Sequence, residues 1–272
     1  MAFGLFNLFK KKNAFGEEDL LFPKVDLHVH LLPGVDDGSQ DEETSLQMMY
    51  AALKCGVVHC NATAHYRSNL MPTPEEVAEA FQKIRKIKEK EGLPLSFSCS
   101  QEIEYFPGAE NFIQGNRLAC VGKNLRYSLL EFTRDINRQA ALAIVFQLGM
   151  AGITPIIVHP ERFDFIQRHT EVAEELRHRG AFLLLNATSL VGFYGRLVEE
   201  TALTLLDKGE VDGLASDAHG PEYYKPYLAG CRLAAERQGL EKLYKYTWSF
   251  PCRVLGYEPE TAEADYDPFA IH

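Results

Sequence analysis

Residues 26–38 combine imidazole and carboxylate side chains in a pattern that suits a metal ion. The segment reads Asp-Leu-His-Val-His-Leu-Leu-Pro-Gly-Val-Asp-Asp-Gly. Its first half alternates as a β-strand does, so His28 and His30 should point to the same face. The Pro-Gly and Asp-Gly pairs then predict a tight loop that carries Asp36 and Asp37 beyond the strand. Such donors suit zinc, manganese, iron or cobalt, although two histidines on a solvated edge strand would show the same spacing.

The elements that must position these side chains alternate along the chain. Apolar periodicity predicts strands at residues 25–31, 57–63, 95–105, 127–132, 154–158, 182–186 and 213–216. Cap signals and apolar periodicity predict helices at residues 39–54, 73–92, 137–150, 171–179 and 195–208, with a short helix and a turn within 107–123. The first of these should begin with a capping box formed by Ser39 and Glu42. About seven strand–helix units favour an α/β barrel in a single domain over an open doubly wound sheet.

In such a barrel the carboxyl ends of the strands meet on one rim, where active sites lie. The residues at or just after the predicted strand ends are His28, His30, Asp37, His65, Glu102, Glu131, His159, Asp217 and His219. A single member of this set would more often be a cap or a core residue, but recurrence at successive strand ends favours a metal site. A catalytic zinc ion takes about three protein ligands, so the set implies two or three ions. A pair of ions would bind the attacking and leaving oxygens of a displacement and supply hydroxide near neutral pH.

Composition narrows the class of protein. The 272 residues carry a formal net charge of −10, which argues against a nucleic-acid partner bound by neutralising phosphates. No Gly-x-Gly-x-x-Gly turn follows the first predicted strand, which weakens a dinucleotide-binding alternative. Six scattered cysteines without CxxC spacing predict reduced, buried thiols in a cytoplasmic protein.

We expect one domain over residues 24–258, an N-terminal tail over 1–23 and a C-terminal tail over 259–272. The N-terminal tail is rich in Phe and Leu, and three lysines follow at residues 10–12. It is too short to span a membrane, which takes about 20 apolar residues. We predict a flexible tail, with weak contact to an anionic membrane surface as the alternative.

A set of motifs resembles a known family. The motifs are Asp26-x-His-x-His30, the loop Asp36-Asp-Gly38, Thr63-Ala-His65, Glu102-Ile-x-Tyr105, Leu130-Glu-Phe132, His159-Pro-Glu-Arg162 and Ser216-Asp-Ala-His219. Together they resemble the polymerase-and-histidinol-phosphatase (PHP) superfamily, and within it the bacterial metal-dependent protein-tyrosine phosphatases encoded beside capsule and exopolysaccharide genes. The resemblance covers about residues 24–258. It implies a distorted (β/α)₇ barrel with three metal ions, usually manganese, with iron, zinc or cobalt as alternatives.

The resemblance also implies a ligand scheme. One ion would be bound by His28, His30 and Asp217, with Glu102 bridging to a second ion that also takes Glu131 and His159; the third would take Asp37, His65 and His219. His159, Asp217 and Arg162 would serve catalysis, with the Arg162 guanidinium binding substrate phosphate. A surface salt bridge is the alternative role for Arg162.

One feature departs from the family pattern. Many members carry a further arginine after the Asp-x-His motif, but here the loop reads Gly-Pro-Glu-Tyr-Tyr-Lys up to Lys225. Lys225 or Arg67 could supply the second cation. Alternatively, Tyr223 and Tyr224 could stack on the ring of the substrate.

The resemblance implies hydrolysis of phosphotyrosine by direct attack of a metal-bridging hydroxide on phosphorus. A phenolate, with a pKa near 10, leaves with less protonation than an alkoxide, so aryl phosphates should react more easily. The expected substrate is a phosphotyrosine protein, namely a bacterial tyrosine kinase of capsule or exopolysaccharide synthesis.

Three alternative functions fit the same residues. One is another PHP phosphoesterase, acting on histidinol phosphate or a nucleotide. A second is an amidohydrolase, although those barrels usually have a bridging lysine where this chain offers Glu102 and Glu131. The third is a catalytically silent metal-binding module that regulates another enzyme.

The segment from His59 to Arg67 superficially resembles the His-Cys-x₅-Arg loop of cysteine phosphatases. Its spacer has six residues and no glycine, and it reads partly as a strand. Such a sequence is poorly suited to a loop whose backbone N–H groups must all turn towards a phosphate. We therefore predict that Cys60 packs in the core and takes no part in catalysis.

Overall fold

Parallel strands form the centre of the molecule and follow one another in chain order. The computed structural model describes residue 20 and residues 22–67, 69–257 and 268–269. Within that part of the chain the strands are β1 (Lys24–Val29), β2 (Val57–Tyr66), β3 (Ser96–Glu104), β4 (Tyr127–Glu131), β5 (Thr154–Val158), β6 (Phe182–Asn186) and β7 (Gly213–Ala215). Each pairs in parallel with the next. The strand order confirms the predicted seven-stranded α/β barrel.

A short seam joins the last strand to the first. Val29 and Ala218 form an isolated parallel bridge just beyond the end of β7. The amide of Asp217 donates to the His28 carbonyl, and the amide of His30 donates to the Ala218 carbonyl, both at 2.9 Å. The seam therefore fixes the backbone on both sides of residues that were predicted to bind metal.

Helices surround the strands in the described part of the chain. They are α1 (Glu42–Lys54), α2 (Pro74–Glu91), α3 (Ala109–Gly115), α4 (Arg138–Met150), α5 (Asp164–Arg168), α6 (Glu171–His178), α7 (Arg196–Lys208), α8 (Tyr224–Gln238), α9 (Leu240–Tyr244) and α10 (Phe250–Leu255). The predicted helices are present, with ends shifted by a few residues. Helices α5 and α8 to α10 were not predicted. Pro226 lies in the first turn of α8, where the missing N–H of a proline costs little. Pro251 lies at the start of α10, directly after a π-helical segment over Lys245–Ser249.

The helix caps correct one prediction. At the start of α2, Thr73 and Glu76 form a reciprocal capping box. At the start of α1 the predicted box was wrong, because Asp41 is the N-cap and accepts a hydrogen bond from the Thr44 amide at 2.8 Å. Ser39 instead bonds to the hydroxyl of Ser45 at 2.7 Å. Asp41 directly precedes the first residue of α1, and aspartate is among the residues preferred at the N-cap position.

The barrel interior has an apolar half and a polar half. Apolar side chains from β1 and from β4 to β7 pack on helix α10. The strands contribute Val25, Leu27, Leu129, Ile156, Val158, Leu184 and Ala215, and the helix contributes Phe250 and Val254. On the β2–β3 side, His59 contacts the hydroxyls of Ser96 and Ser98 at 2.8 and 3.0 Å, and the Asn61 amide donates to Ser100 at 2.8 Å. Hydrogen bonding offsets the cost of burying these polar groups.

Two further sequence predictions concern thiols and membranes. All six cysteines are buried thiols, as predicted. Among the described residues, no helix has both the length and the apolar character needed to cross a membrane. Most of the predicted N-terminal tail and nearly all of the predicted C-terminal tail lie outside the described residues.

Candidate metal centre

Glu102, near the end of β3, is the centre of a buried cluster on the carboxyl-end rim. Its Oε2 atom lies 3.3 Å from His28 Nε2, 3.4 Å from His30 Nε2 and 2.8 Å from His65 Nδ1, and its Oε1 atom lies 3.0 Å from His159 Nε2. Burial alone would favour the neutral acid, but these imidazoles hold the pKa of Glu102 well below its usual range. Three strands, or the loops directly after them, thus bring imidazole nitrogens to one carboxylate on a fourth strand.

His28, His30 and Asp217 form one group around Glu102. The Nε2 atoms of the two histidines are 3.1 Å apart, and each lies 3.5 Å from Asp217 Oδ1. Burial opposes protonation of His28, yet the carboxylates of Glu102 and Asp217 raise its pKa. The structure brings together the residues expected for the first ion.

His159, Glu131 and Glu102 form a second group. His159 Nε2 lies 3.7 Å from Glu131 Oε1, in addition to its contact with Glu102. Burial, together with the negative charge of Glu102, raises the pKa of Glu131 to about 7. These are the residues expected for the second ion.

Asp37, His65 and His219 form a third group at the outer side of the cluster. Asp37 Oδ1 lies 3.2 Å from His65 Nε2 and 3.5 Å from His219 Nε2. His30 also belongs here, since its ring stacks on that of His219 at 4.1 Å and lies 4.4 Å from that of His65. His30 therefore stands between the first and third groups, a position that the sequence did not reveal.

The donor set fits divalent metal ions. Nitrogen atoms 3.1 Å apart, as in His28 and His30, need either a shared proton or a shared cation. Several carboxylates are buried beside them, and buried charges are normally paired or coordinate metals. Three sets of donor atoms lie close enough together to hold an ion each: His30, Asp37, His65 and His219; His28, His30 and Glu102; and His65, Glu102 and Glu131. Imidazole with carboxylate suits manganese, iron, cobalt or zinc.

Two residues of the cluster have left-handed backbone conformations. His159 has a φ angle of 36° and Asp217 a φ angle of 49°, values that residues other than glycine rarely adopt. Hydrogen bonds hold both in place, from the His159 amide to the Leu184 carbonyl and from the Asp217 amide to His28. Strain of this kind persists where the surroundings over-determine the conformation, typically at functional sites.

His65 lies elsewhere than predicted, and Asp36 supports the cluster without being one of the nine proposed ligands. His65 lies within β2, which extends to Tyr66, and does not follow the strand as predicted. Asp36 Oδ2 contacts His30 Nδ1 at 2.7 Å and accepts from the His65 amide at 3.0 Å, so it supports one imidazole and anchors the strand that bears another. The adjacent Asp36 and Asp37 side chains therefore have different surroundings, which the Asp-Asp-Gly motif alone does not distinguish.

Asp26 and Asn186 are further residues that the sequence left without a role. The Asp26 carboxylate accepts from the Ser216 amide at 3.1 Å, which ties β1 to the segment after β7. The Asn186 side chain donates to Asp217 Oδ2 at 2.8 Å. Asp26 thus orients the backbone next to Asp217, and Asn186 orients its side chain. Asp26 opens the Asp-x-His-x-His motif, but the motif does not show what the carboxylate contacts, and Asn186 belongs to no motif identified in the sequence.

Two arginines border the cluster from different sides. Arg162 Nη1 lies 3.2 Å from Asp217 Oδ2, and its guanidinium lies 5.0 Å from the ring centre of Tyr194. Arg67 Nη2 lies 3.0 Å from Asp37 Oδ2. Both side chains keep some exposure, 39% for Arg162 and 27% for Arg67, so each can meet a ligand above the rim.

The expectation that Tyr224 stacks on a substrate is wrong. Tyr224 is buried, and its hydroxyl points towards Asp26 Oδ2 at 3.4 Å. Tyr223 lies at the rim, with its ring centre 5.8 Å from that of His219. The turn that begins α8 sends the two side chains in different directions.

Cys60 lies in the middle of β2 and is fully buried. Burial raises the pKa of its thiol well above the usual value, which disfavours the nucleophilic thiolate. The prediction that Cys60 packs in the core is confirmed.

Comparison with known protein families gives a consistent result. A family model for capsular polysaccharide synthesis proteins, CpsB/CapC, matches residues 24–254. Tyrosine-protein phosphatase YwqE of Bacillus subtilis is 31% identical over 196 residues, which cover 72% of this chain and 77% of that protein. Tyrosine-protein phosphatase CpsB of Streptococcus pneumoniae is 28% identical over 238 residues, covering 85% and 98%.

Structural comparison gives the same relatives. One chain from the crystal structures of YwqE from Bacillus subtilis and CpsB from Streptococcus pneumoniae, described as unique metal-dependent tyrosine phosphatases, aligns with a TM-score of 0.77. The sequence identity in that alignment is 28%, and it covers 86% of this chain and 95% of the other. The alignment of the two structures therefore covers most of this chain and nearly all of the other.

Proposed function

Because the chain belongs to the CpsB/CapC family of capsular polysaccharide synthesis proteins, we propose that it is a metal-dependent protein-tyrosine phosphatase with its active site at the Glu102 cluster. The observation that carries this proposal is the placement of four imidazoles within 3.4 Å of one buried carboxylate. The named relatives are tyrosine-protein phosphatases, and their lengths are largely covered by this chain. The reaction is hydrolysis of a phosphoric monoester.

The cluster would hold two or three ions in the groups described above. His28, His30 and Asp217 would bind the first, Glu131 and His159 the second, and Asp37, His65 and His219 the third, with Glu102 bridging the first two. Bound ions would supply Lewis acidity for displacement at phosphorus. We propose manganese, with iron, zinc or cobalt as alternatives that the same donors accept.

Arg162 would bind the phosphate group of the substrate. A planar guanidinium can donate to two phosphate oxygens at once. Asp217 and the Tyr194 ring hold Arg162 at the edge of the cluster, so little side-chain entropy would be lost when phosphate arrives. Arg67 and Lys225 are the two candidates for a second phosphate-binding cation. Arg67 is the better placed, because it is held at the cluster by Asp37, whereas Lys225 lies exposed in the first turn of α8.

We further propose that the substrate is a phosphotyrosine protein of capsule or exopolysaccharide synthesis, namely a bacterial tyrosine kinase. The family description and the phosphatase names of the relatives support this assignment. A cytoplasmic location agrees with six buried thiols, because thiols persist in a reducing compartment.

The test measures phosphate release from a phosphotyrosyl peptide by chelator-stripped protein, with and without added Mn²⁺. A phosphoseryl peptide and histidinol phosphate serve as comparison substrates. We expect Mn²⁺-dependent turnover that favours the phosphotyrosyl peptide, and a severe loss of that turnover in His159→Ala and Arg162→Ala. Turnover of histidinol phosphate alone would contradict the tyrosine assignment, and silence on all three substrates would contradict phosphatase activity.

A further inference from the structure

A tight turn between β6 and α7 brings aromatic rings to the rim beside the metal cluster. The turn reads Gly192-Phe-Tyr-Gly195, and the Gly195 amide donates to the Gly192 carbonyl at 3.0 Å. Its two glycines have φ angles of 75° and 93°, which residues with a Cβ atom adopt only with strain. The backbone can therefore turn sharply and present Phe193 and Tyr194 in different directions, with their ring planes 86° apart.

Phe193, Tyr194 and Tyr223 together form what we call the aromatic wall. The ring centre of Phe193 lies 5.1 Å from that of Tyr194 and 4.9 Å from that of Tyr223. At one end Tyr223 reaches the ring of His219, and at the other end Tyr194 supports the guanidinium of Arg162. The wall thus spans the rim from a proposed metal ligand to the proposed phosphate-binding arginine.

The central ring of the wall is largely uncovered. Phe193 is 42% exposed, and two apolar neighbours in sequence, Val191 and Leu197, are 37% and 57% exposed. Scattered exposed apolar side chains are ordinary, but Phe193 packs against Tyr223 beside a polar cluster, where an uncovered aromatic ring offers a binding surface. Tyr194 differs, because it is mostly buried beneath Arg162 and acts as a support.

We propose that the aromatic wall binds the phenyl ring of phosphotyrosine while Arg162 binds its phosphate. The inference rests on the proposed function and identifies the surface that selects aryl over alkyl phosphates. In phosphotyrosine a single oxygen joins ring and phosphorus, so the ring must lie against a surface that starts directly beside the phosphate site. Phe193 and Tyr223 offer such a surface, and aromatic rings pair favourably at centre distances of about 4.5–7 Å.

A cleft at the ends of β2 and β3 is one competing location for the ring. It has a volume of about 550 Å³, and its lining includes Tyr66, Tyr105, Phe106, Ile136, the carboxylates of Glu104 and Asp135, and the guanidinium of Arg67. The two carboxylates would repel the phosphate end of the substrate, and the Arg67 guanidinium is already paired with Asp37 at 3.0 Å, so this cleft offers phosphate less positive charge than the Arg162 site does. The Tyr66 ring is also already stacked on Phe112 at 4.4 Å, so less aromatic surface is available there than on the wall.

The experiment separates ring binding from phosphate binding. KM is measured for a phosphotyrosyl peptide, and the inhibition constant Ki is measured for inorganic phosphate, which has no ring. Phe193→Ala and Tyr223→Ala are compared with the wild type, with Tyr223→Phe as the conservative control, Ile136→Ala as the cleft variant and Arg162→Ala as the phosphate-site variant.

We expect Phe193→Ala and Tyr223→Ala each to raise KM for the peptide about threefold to tenfold, the scale of one aromatic pair, while Ki for phosphate changes less than twofold. Tyr223→Phe, which keeps the ring, should raise KM less than Tyr223→Ala does. Ile136→Ala should leave KM unchanged, and Arg162→Ala should raise both constants. Because Phe193 is exposed, its replacement by alanine should leave the fold intact.

Other outcomes overturn the inference in distinguishable ways. An unchanged KM in both wall variants, or equal changes in KM and Ki, would show that the wall does not bind the ring. A raised KM in Ile136→Ala alone would place the ring in one of the two clefts that Ile136 lines, either the 550 Å³ cleft or the one that Arg162 and Phe163 also line. If the wild type fails to hydrolyse the peptide at all, the proposed function fails and this inference fails with it.

Discussion

Asp36 supports the Glu102 cluster without being one of the proposed metal ligands. Its carboxylate contacts His30 Nδ1 and also accepts from the amides of His65 and Gly38. Metal-binding histidines normally need such a partner on the second ring nitrogen to fix the tautomer and orientation. In the described residues, the Nδ1 atoms of His28 and His159 have no hydrogen-bond partner, so His30 is the best supported of the three.

Replacing Asp36 with Asn should therefore weaken metal binding without removing a ligand. We expect a loss of about 10-fold to 100-fold in metal affinity and in activity at limiting Mn²⁺, the usual cost of removing such a partner. Mn²⁺ titration of stripped protein, monitored by bound metal and by activity, measures the change. Asp207→Asn, which alters an exposed aspartate bonded only to Arg237 in the described part of the chain, is the matched control. Wild-type affinity in Asp36→Asn would contradict this role.

His59 determines a different property, the response of stability to acid. Its ring is buried between Ser96 and Ser98, and burial lowers its pKa to about 3 from an ordinary value of 6.5. Between these values the unfolded chain binds a proton that the folded protein does not, so falling pH favours unfolding. The contribution of His59 is complete above pH 6.5 and decreases by up to about 1.4 kcal/mol per pH unit as pH falls towards 3.

The comparison of wild type with His59→Gln isolates that contribution. Urea unfolding of both proteins is followed at several pH values between 8 and 4, with a chelator present throughout so that metal release does not contribute. We expect the wild type to be the more stable at pH 8 and its advantage to shrink steadily as the pH falls. A stability difference that stays constant with pH would show that His59 does not titrate in this way.

At the scale of secondary structure, helix α8 packs unusually closely on the segment after β6. A Cβ atom at Gly230 would lie 1.9 Å from the carbonyl oxygen of Ala187, a distance that no real contact shows. The same helix begins with Tyr224, which lies against Asp26 under the metal cluster. The close approach of α8 therefore also sets the position of the rim residues around Tyr223.

Gly230→Ala should destabilise the protein although alanine favours helices. The propensity gain is at most about 1 kcal/mol. Forcing backbone away from backbone costs about 1–3 kcal/mol or more, so the clash should win. Gly149→Ala is the control, since that glycine lies in α4 with no heavy atom within 4 Å of its Cβ position, and it should be neutral or stabilising. Chemical denaturation compares the two, and equal stability changes would contradict the packing argument.

At the scale of the whole molecule, the Glu102 cluster and the closure of the barrel share residues. The seam between the first and last strands is short, and its hydrogen bonds involve the backbone of His28, His30 and Asp217. The same residues, with Glu102 from β3, contribute side chains to the first proposed ion site. A ligand that binds only the folded protein adds its binding free energy to stability.

Metal loading should consequently raise the melting temperature. At an ion concentration 100 times the dissociation constant the gain is about 2.7 kcal/mol. For a chain of this size we expect an increase of several degrees, at about 2–4 °C per kcal/mol. Differential scanning fluorimetry of stripped protein with and without Mn²⁺ measures it. Glu102→Gln should abolish most of the increase, whereas His169→Ala, at an exposed histidine outside the cluster, should retain it. An identical melting temperature with and without Mn²⁺ would contradict the coupling.

Much of the fold follows from local sequence patterns. Apolar periodicity and helix start signals act over a few residues, so the strand Thr154–Val158 and the helix Pro74–Glu91 could be predicted directly. Parallel order then places strand ends on one rim, which is why the nine ligand-type residues could be proposed together. The tail boundaries and the identity of the metal remain predictions.

The pairings between distant residues follow from the three-dimensional structure and not from local sequence. Asp36 and Asp37 are neighbours with the same side chain, yet the loop turns one towards His30 and the other towards His219. Tyr223 and Tyr224 are likewise adjacent, but one lies at the rim and the other under the cluster. Local periodicity specifies which element a residue occupies, whereas side-chain direction after a strand end depends on loop geometry and on contacts across the barrel. Those contacts join segments up to 190 residues apart, as Asp26 and Ser216 show, and no local pattern encodes them.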